Sequence, residues 1–267
     1  MKRYWKIFVL AAALVAVGVY AGVVMPRAAD QRANVVCSRL HVVVVDSAVN
    51  RFVRKEDVPI IFRAAGLSYF GKKLSEISTA NLEAALNARS LIRHADVFIT
   101  VDGTLHVRIA QRHPIIRIYA DNGDSFYLDN DGFVMQQYSG YTADVPIVNG
   151  SIKSPFPQGF KGDMLAYLAK QKKPAPLVEQ LLAFAKFLAR DEFWQAQVEQ
   201  LYITPRGKVE IIPRIGAHII RMGSLDNFEY KLHKLRVMYD KGLPVKGWNV
   251  YEVLDVSYGN QVVCERK

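Results

Sequence analysis

Ile7 to Met25 (IFVLAAALVAVGVYAGVVM) is a run of 19 residues without a charge, and it constrains this chain more than any other segment. Wound as a helix at ~1.5 Å per residue it would span roughly 28 Å, close to the ~30 Å hydrocarbon core of a bilayer. Lys2, Arg3 and Lys6 precede it, with Tyr4 and Trp5 suited to the headgroup layer. Positive charge ahead of the apolar run favours an amino terminus kept in the cytoplasm, so that everything after the run crosses. The rival reading is a cleaved signal peptide, for which Val19-Tyr20-Ala21 offers a small-x-small site. A signal peptide's apolar region usually extends about 7–15 residues, shorter than this one. The expectation is therefore an anchor, with residues 1–6 a cytoplasmic tail, 7–25 a single transmembrane helix and 26–39 a linker.

Charge is distributed in keeping with that division. Residues 1–39 hold six Lys or Arg against one acid, and residues 40–267 hold 29 against 24. Spread over the larger part, an excess of five is a mildly basic surface and no nucleic-acid footprint. The two cysteines, Cys37 and Cys264, stand near opposite ends of the globular part. A disulfide between them is chemically allowed across the membrane but would close a very long loop. Two separate thiols is the alternative, and spacing does not decide between them.

The globular part reads as α+β in two blocks. In the first, 40–112, Leu40–Val45 is a β-branched strand, Arg54–Ala65 a helix with Pro59 in its early part, and Thr79–Ala88 a second helix. Ala95–Val101 and Thr104–Arg112 then alternate around Asp102-Gly103, a two-residue hairpin signal. The order is β-α-α-β-β, with two helices to cover one face of a three-stranded sheet. In the second block, 113–267, strands are expected at Ile115–Ala120, Ser125–Leu128, Phe133–Gln136, Pro146–Val148, Val198–Thr204, Lys208–Ile212 and Ala217–Met222. Two helices pack on them: Leu177–Ala189, and Leu225–Lys241 capped by Ser224 and stopped by Gly242 and Pro244. Val250–Tyr258 and Gln261–Cys264, around Gly259-Asn260, form the last hairpin.

Signatures of chemistry are missing. No two of the six histidines stand three to five residues apart on one element, and no cysteine completes a zinc set. Asp129-Asn130-Asp131-Gly132 is part of a calcium-loop pattern without its closing bidentate Glu, and reads as a hairpin turn. There is no nucleophile elbow, phosphate-cradling loop or dinucleotide fingerprint. No catalytic, cofactor-binding or metal residue is expected, and the chain is read as non-enzymatic. What remains is binding. A terminal strand often lies at a sheet edge whose unpaired N–H and C=O groups can accept a partner strand, unless a charged tail blunts it.

The order of these motifs resembles a known family, the bacterial division protein FtsQ (DivIB in Gram-positive bacteria). The first block, after a basic tail and one anchor, is similar to a POTRA domain. Gln111-Arg112-His113-Pro114 resembles the family's Glu-Arg-x-Pro junction, and Tyr127-Leu128-Asp129 with Gly132 its Tyr-x-Asp-x-x-Gly hairpin. Val145-Pro146 with Gly150 resembles Leu-Pro-x-x-x-Gly, Gly223 with Lys231-Leu232 and Leu235 the late helix, and Leu254–Tyr258 the closing Val-Asp-Leu-Arg-Tyr strand. Gln111 replaces the usual acid and Ser257 a basic residue; both cysteines are extra. The resemblance implies a bitopic, non-catalytic divisome scaffold of the inner membrane, with its later domains periplasmic at the septum. It also implies recruitment of FtsB and FtsL through the terminal β-edge, on which Asp255, Val256, Ser257, Tyr258, Gly259 and Asn260 would lie. Two rivals are an outer-membrane assembly factor, which would need a many-stranded barrel, and a periplasmic binding module or enzyme without a role in division.

Overall fold

The computed structural model describes residues 12–20, 35–172 and 175–267, and the chain divides into two units, Met1–Gln111 and Arg112–Lys267. Of the expected anchor, residues 12–20 are helical and exposed throughout. Its two ends, the cytoplasmic tail and linker residues 26–34 lie outside the described residues. Among the described residues no helix is long and apolar enough to cross a membrane.

The first unit runs β1 (Arg39–Val44), α1 (Asp57–Ala64), α2 (Thr79–Asn87), β2 (Ile92–Ile99) and β3 (Thr104–Gln111). Its sheet order is β1-β3-β2, with β1 parallel and β2 antiparallel to β3. Alternation sends Val42, Val44, Ala95, Val97, Leu105, Val107 and Ile109 to the face that Val58, Phe62, Leu82 and Leu86 of the helices cover. The cap of α2 is Ser78, whose hydroxyl accepts from Asn81 N–H at 3.3 Å. The β2–β3 turn also differs. Thr100 N–H donates to Thr104 C=O and Gly103 N–H to Thr100 C=O, so three residues, not two, make the bend. Asp102 shapes it, accepting from the hydroxyls of Thr100 and Thr104 and pairing with Arg39. Those hydroxyl bonds, chiefly the one from Thr100, hold its carboxyl down at about 2.

Gln111 shows why an amide stands where an acid is usual. It is buried; its Oε1 accepts from Val53 N–H at 2.8 Å, and its Nε2 donates to Asp46 Oδ1 at 3.1 Å and to Asn50 C=O at 2.9 Å. A carboxylate has no donor for Asn50 and would face Asp46 as a like charge.

In the second unit a ten-stranded sheet is built from β4 (Pro114–Tyr119), β5 (Ser125–Asp129), β6 (Phe133–Gln136), β7 (Ile147–Gly150), β8 (Gly162–Asp163), β9 (Val198–Ile203), β10 (Val209–Pro213), β11 (Ile219–Gly223), β12 (Tyr251–Asp255) and β13 (Val263–Arg266). The spatial order is β13-β12-β11-β10-β9-β7-β4-β5-β6-β8. One core unites Ile116, Leu128, Leu201, Ile211, Ile220 and Leu254 of the sheet with helices α4 (Pro176–Leu188) and α6 (Phe228–Val237). These two helices were expected. Three more were not: α3 (Met164–Gln171), α5 (Glu192–Gln197) and the short α7 (Leu243–Lys246). Asp163 caps α3 by accepting from Ala166 N–H, and Asp191 caps α5 by accepting from Phe193 and Trp194 N–H. The late helix departs from expectation at both ends. Ser224 does not cap it; Asn227, left-handed at φ 50°, precedes Phe228. Gly242 and Pro244 do not stop it either, because a π turn, Met238–Gly242, leads into α7, where Pro244 occupies a first-turn position needing no N–H.

Two family-like motifs meet inside this unit. Arg112 Nη1 lies 2.8 Å from Asp129 Oδ2, both side chains largely buried, and the guanidinium carbon sits 3.5 Å from the Phe133 ring centroid. Asp129 Oδ1 accepts from Asp131 and Phe133 N–H, so the carboxylate is consumed in shaping its turn. Gly150 is dictated by approach: at φ +105°, an added Cβ would stand 2.2 Å from Ile203 C=O.

Candidate functional site

A sheet offers a partner strand only its edges, and the two ends of the ten-stranded sheet differ. At one end β8 has two residues, and Asp163 of it is already committed to capping α3. At the other end β13 has four, antiparallel to β12 with Leu254 opposite Cys264 and Asp255 opposite Val263. Its second side faces no strand among the described residues. Cys264 turns toward the core while Glu265 and Arg266 are exposed. Arg221 of β11 reaches across to Glu265 and lies 3.8 Å from Glu210, tying β10, β11 and β13 on the outer face.

The smaller sheet closes one of its own edges. Ala95 of β2 donates its N–H to Asn87 Oδ1 at 2.8 Å and accepts from Asn87 Nδ2 at 3.4 Å, and Val97 N–H donates to Glu83 Oε2 at 3.2 Å. Side chains of α2 thus occupy backbone groups that a visiting strand would need.

The expected contact residues Asp255 to Asn260 are not all surface groups, and the last hairpin is drawn differently from the sequence expectation. Strand β12 ends at Asp255, and residues 256–262 form a seven-residue loop before β13. Val256 is fully buried and its N–H donates to Arg221 C=O at 3.0 Å. Asp255 Oδ1 accepts from Ser257 N–H at 2.9 Å and from its hydroxyl at 2.6 Å, an Asx-type turn that uses up the serine found where a basic residue is common. Gly223 lies beneath: at φ +72°, a Cβ there would meet Ser257 Cβ at 2.9 Å. Ser257, Tyr258, Gly259 and Asn260 are exposed, Tyr258 by 52%.

Sequence reasoning overlooked what grips this loop from α6. Lys234 Nζ donates to Val256 C=O (3.1 Å), Gly259 C=O (2.9 Å), Gln261 C=O (3.2 Å) and Tyr258 C=O. One turn earlier, Tyr230 OH donates to Asn260 Oδ1 at 3.2 Å. Lys231, which the motif comparison did single out, bonds Met222 and Ser224 C=O at 3.1 and 2.8 Å. A lysine at this spacing resembles any solvated helical charge, so no sequence signal distinguishes Lys234. Cys37 and Cys264 are both free thiols, and burial pushes both pKa values up. Among the described residues no cluster of His, Cys, Asp or Glu could hold a metal ion.

A sheet whose longer free edge lies beside an ordered loop, following a small β-α-α-β-β unit, defines a class of binding scaffold. Residues 35–110 match the model of the POTRA-like domain. Residues 113–265 match the FtsQ/DivIB, C-terminal related family, and the chain belongs to the FtsQ/DivIB family of division-associated membrane scaffolds. Among curated proteins no match is found.

Proposed function

We propose that this protein is a bitopic, non-catalytic adaptor of the divisome that recruits FtsB, and through it FtsL, by strand addition at its terminal edge. The observation that carries the reading is β13: its outer side pairs with no strand among the described residues, and it lies beside the exposed Tyr258. The other end of that sheet is two residues long, and side chains block β2. A partner strand would gain affinity from main-chain bonds to β13, with Tyr258 as an aromatic anchor of the kind that dominates hot spots. Four residues form a short register, so the side chain carries a large share of specificity. The apolar helical stretch 12–20, with Leu14, Val15, Val17, Val19 and Tyr20 all exposed, supports an anchor, because such a surface needs an apolar surrounding.

A photo-crosslinking amino acid at Tyr258 or Arg266 should capture FtsB in dividing cells, and one at Glu199 on β9 should not. Tyr258→Ala should weaken co-purification by about tenfold or more, as loss of an aromatic hot spot does, with an unchanged melting temperature. Equal capture from all three positions, or normal co-purification by Tyr258→Ala, would defeat the edge reading. Proline at Val256 is a poor probe, since it removes the bond to Arg221 C=O inside the fold.

A further inference from the structure

Loops that bind partners face a conflict between exposure and order, because an ordered loop needs bonds that a solvent-exposed chain cannot supply from its own backbone. Residues 256–261 meet it with carbonyls that converge. Those of Val256, Tyr258, Gly259 and Gln261 all point to one place, Lys234 Nζ. Four convergent carbonyl dipoles repel one another unless a cation sits among them. An ammonium has three donors and no acceptor, so four oxygens occupy it fully and one bond is shared. The Tyr230 ring borders the same ammonium, 5.4 Å from its centroid, while its hydroxyl holds Asn260. Tyr230 and Lys234 are four apart on α6, hence on one helical face.

We infer that Lys234, assisted by Tyr230, is the positioning residue of the docking loop, acting as an internal cation that fixes the loop's shape before any partner arrives. Its role in docking rests on the adaptor reading above. Three consequences follow from the geometry. Lys234 reaches inward to carbonyls and contributes no contact of its own to a visitor. With those carbonyls engaged, the loop offers a visitor chiefly the Tyr258 side chain, so the part of the partner that meets the loop is an apolar slot, while main-chain pairing is confined to β13. The third concerns shape: arginine substitutes only in part, since its planar fork directs donors outward in one plane while the carbonyls surround a point. Burial draws the Lys234 pKa down while Asp255 draws it up.

The test compares Lys234→Met, which keeps the stem and removes the charge, with Lys234→Arg and Tyr230→Phe. Amide hydrogen exchange is read in the intact protein, and binding is read with purified FtsB. In Lys234→Met the amides of Val256 and Ser257, which are bonded to Arg221 C=O and Asp255 Oδ1, should exchange at least about tenfold faster, with β9 and β10 unchanged, and FtsB binding should weaken by about tenfold or more. Lys234→Arg should fall between Lys234→Met and the wild type, and Tyr230→Phe should affect only the residues around Asn260. Exchange and binding both as in the wild type would overturn the inference. So would faster exchange with undiminished binding, because the loop's order would then be irrelevant to docking. Should Lys234→Met also accelerate exchange in β9 and β10, Lys234→Arg decides: wild-type exchange in its loop overturns the inference, and faster exchange confined to the loop supports it. Failure of the wild type to bind FtsB counts against the adaptor reading instead, and the exchange data still report on the clamp.

Discussion

His218 is buried in the second unit, with its Nε2 2.9 Å from Tyr239 OH and its Nδ1 without a hydrogen-bond partner among the described residues. Burial lowers its pKa, and burial likewise raises that of Tyr239, to about 12. A neutral imidazole is therefore built into the fold. The unfolded chain binds a proton there below about pH 6.5, where a free histidine titrates, and the folded chain resists doing so. The stability this site contributes is complete above that pH and is lost as pH falls from it toward the lower folded value. Chemical denaturation at pH 7.5 and 5.5 should show a smaller acid loss in His218→Gln than in the wild type. An identical loss in both would assign the effect to other groups. Ser257 shows residue-scale economy of another kind, since its hydroxyl completes a turn with Asp255 and does not replace the charge of the residue usual there.

Elements were legible where a repeating pattern and burial agree. β3 alternates cleanly, and α4 carries Leu181, Phe184 and Leu188 on its buried face, so both emerged close to their bounds. Helices α3 and α5, eight and six residues long, offered too few turns for a period to show, although Asp163 and Asp191 were capping signals in plain view. The last hairpin slipped for a tertiary reason. Val256 continues the alternation of β12 as a buried apolar residue, but Val256 C=O goes to Lys234, which ends the strand pairing and opens the loop. The candidate site was thus legible as a region and not as a geometry. The Arg112–Asp129 pair is the strongest link between elements that motif reading could name without explaining. Arg112→Ala should leave a buried carboxylate without its cation, destabilising the second unit by about 3–5 kcal/mol. Urea denaturation followed at β4 to β6 would measure it. A loss below about 1 kcal/mol, the level of an exposed pair, would show the bridge to be dispensable.

At the scale of the whole molecule, residues 35–111 and 112–267 each have a core of their own. The stretch 12–20 differs. Its side chains are apolar around the full helical circumference and exposed, and no globular surface among the described residues covers them. Exposed valines and leucines in a continuous run favour transfer from water by about 25 cal/mol for each Å², so this segment seeks an apolar surrounding. The nineteen-residue run that contains it is long enough for one bilayer, and under the proposed anchor the basic residues ahead of it would favour an amino terminus left in the cytoplasm. The full chain should therefore remain with membranes through alkaline carbonate extraction, and a chain beginning at Val35 should be soluble. Protease added to spheroplasts should digest residues 35–267, while a tag placed before Lys2 should survive. Soluble recovery of the full chain, or a mature protein lacking residues 1–21, would replace the anchored adaptor with a released one, and the docking edge would then act without a fixed height above the membrane.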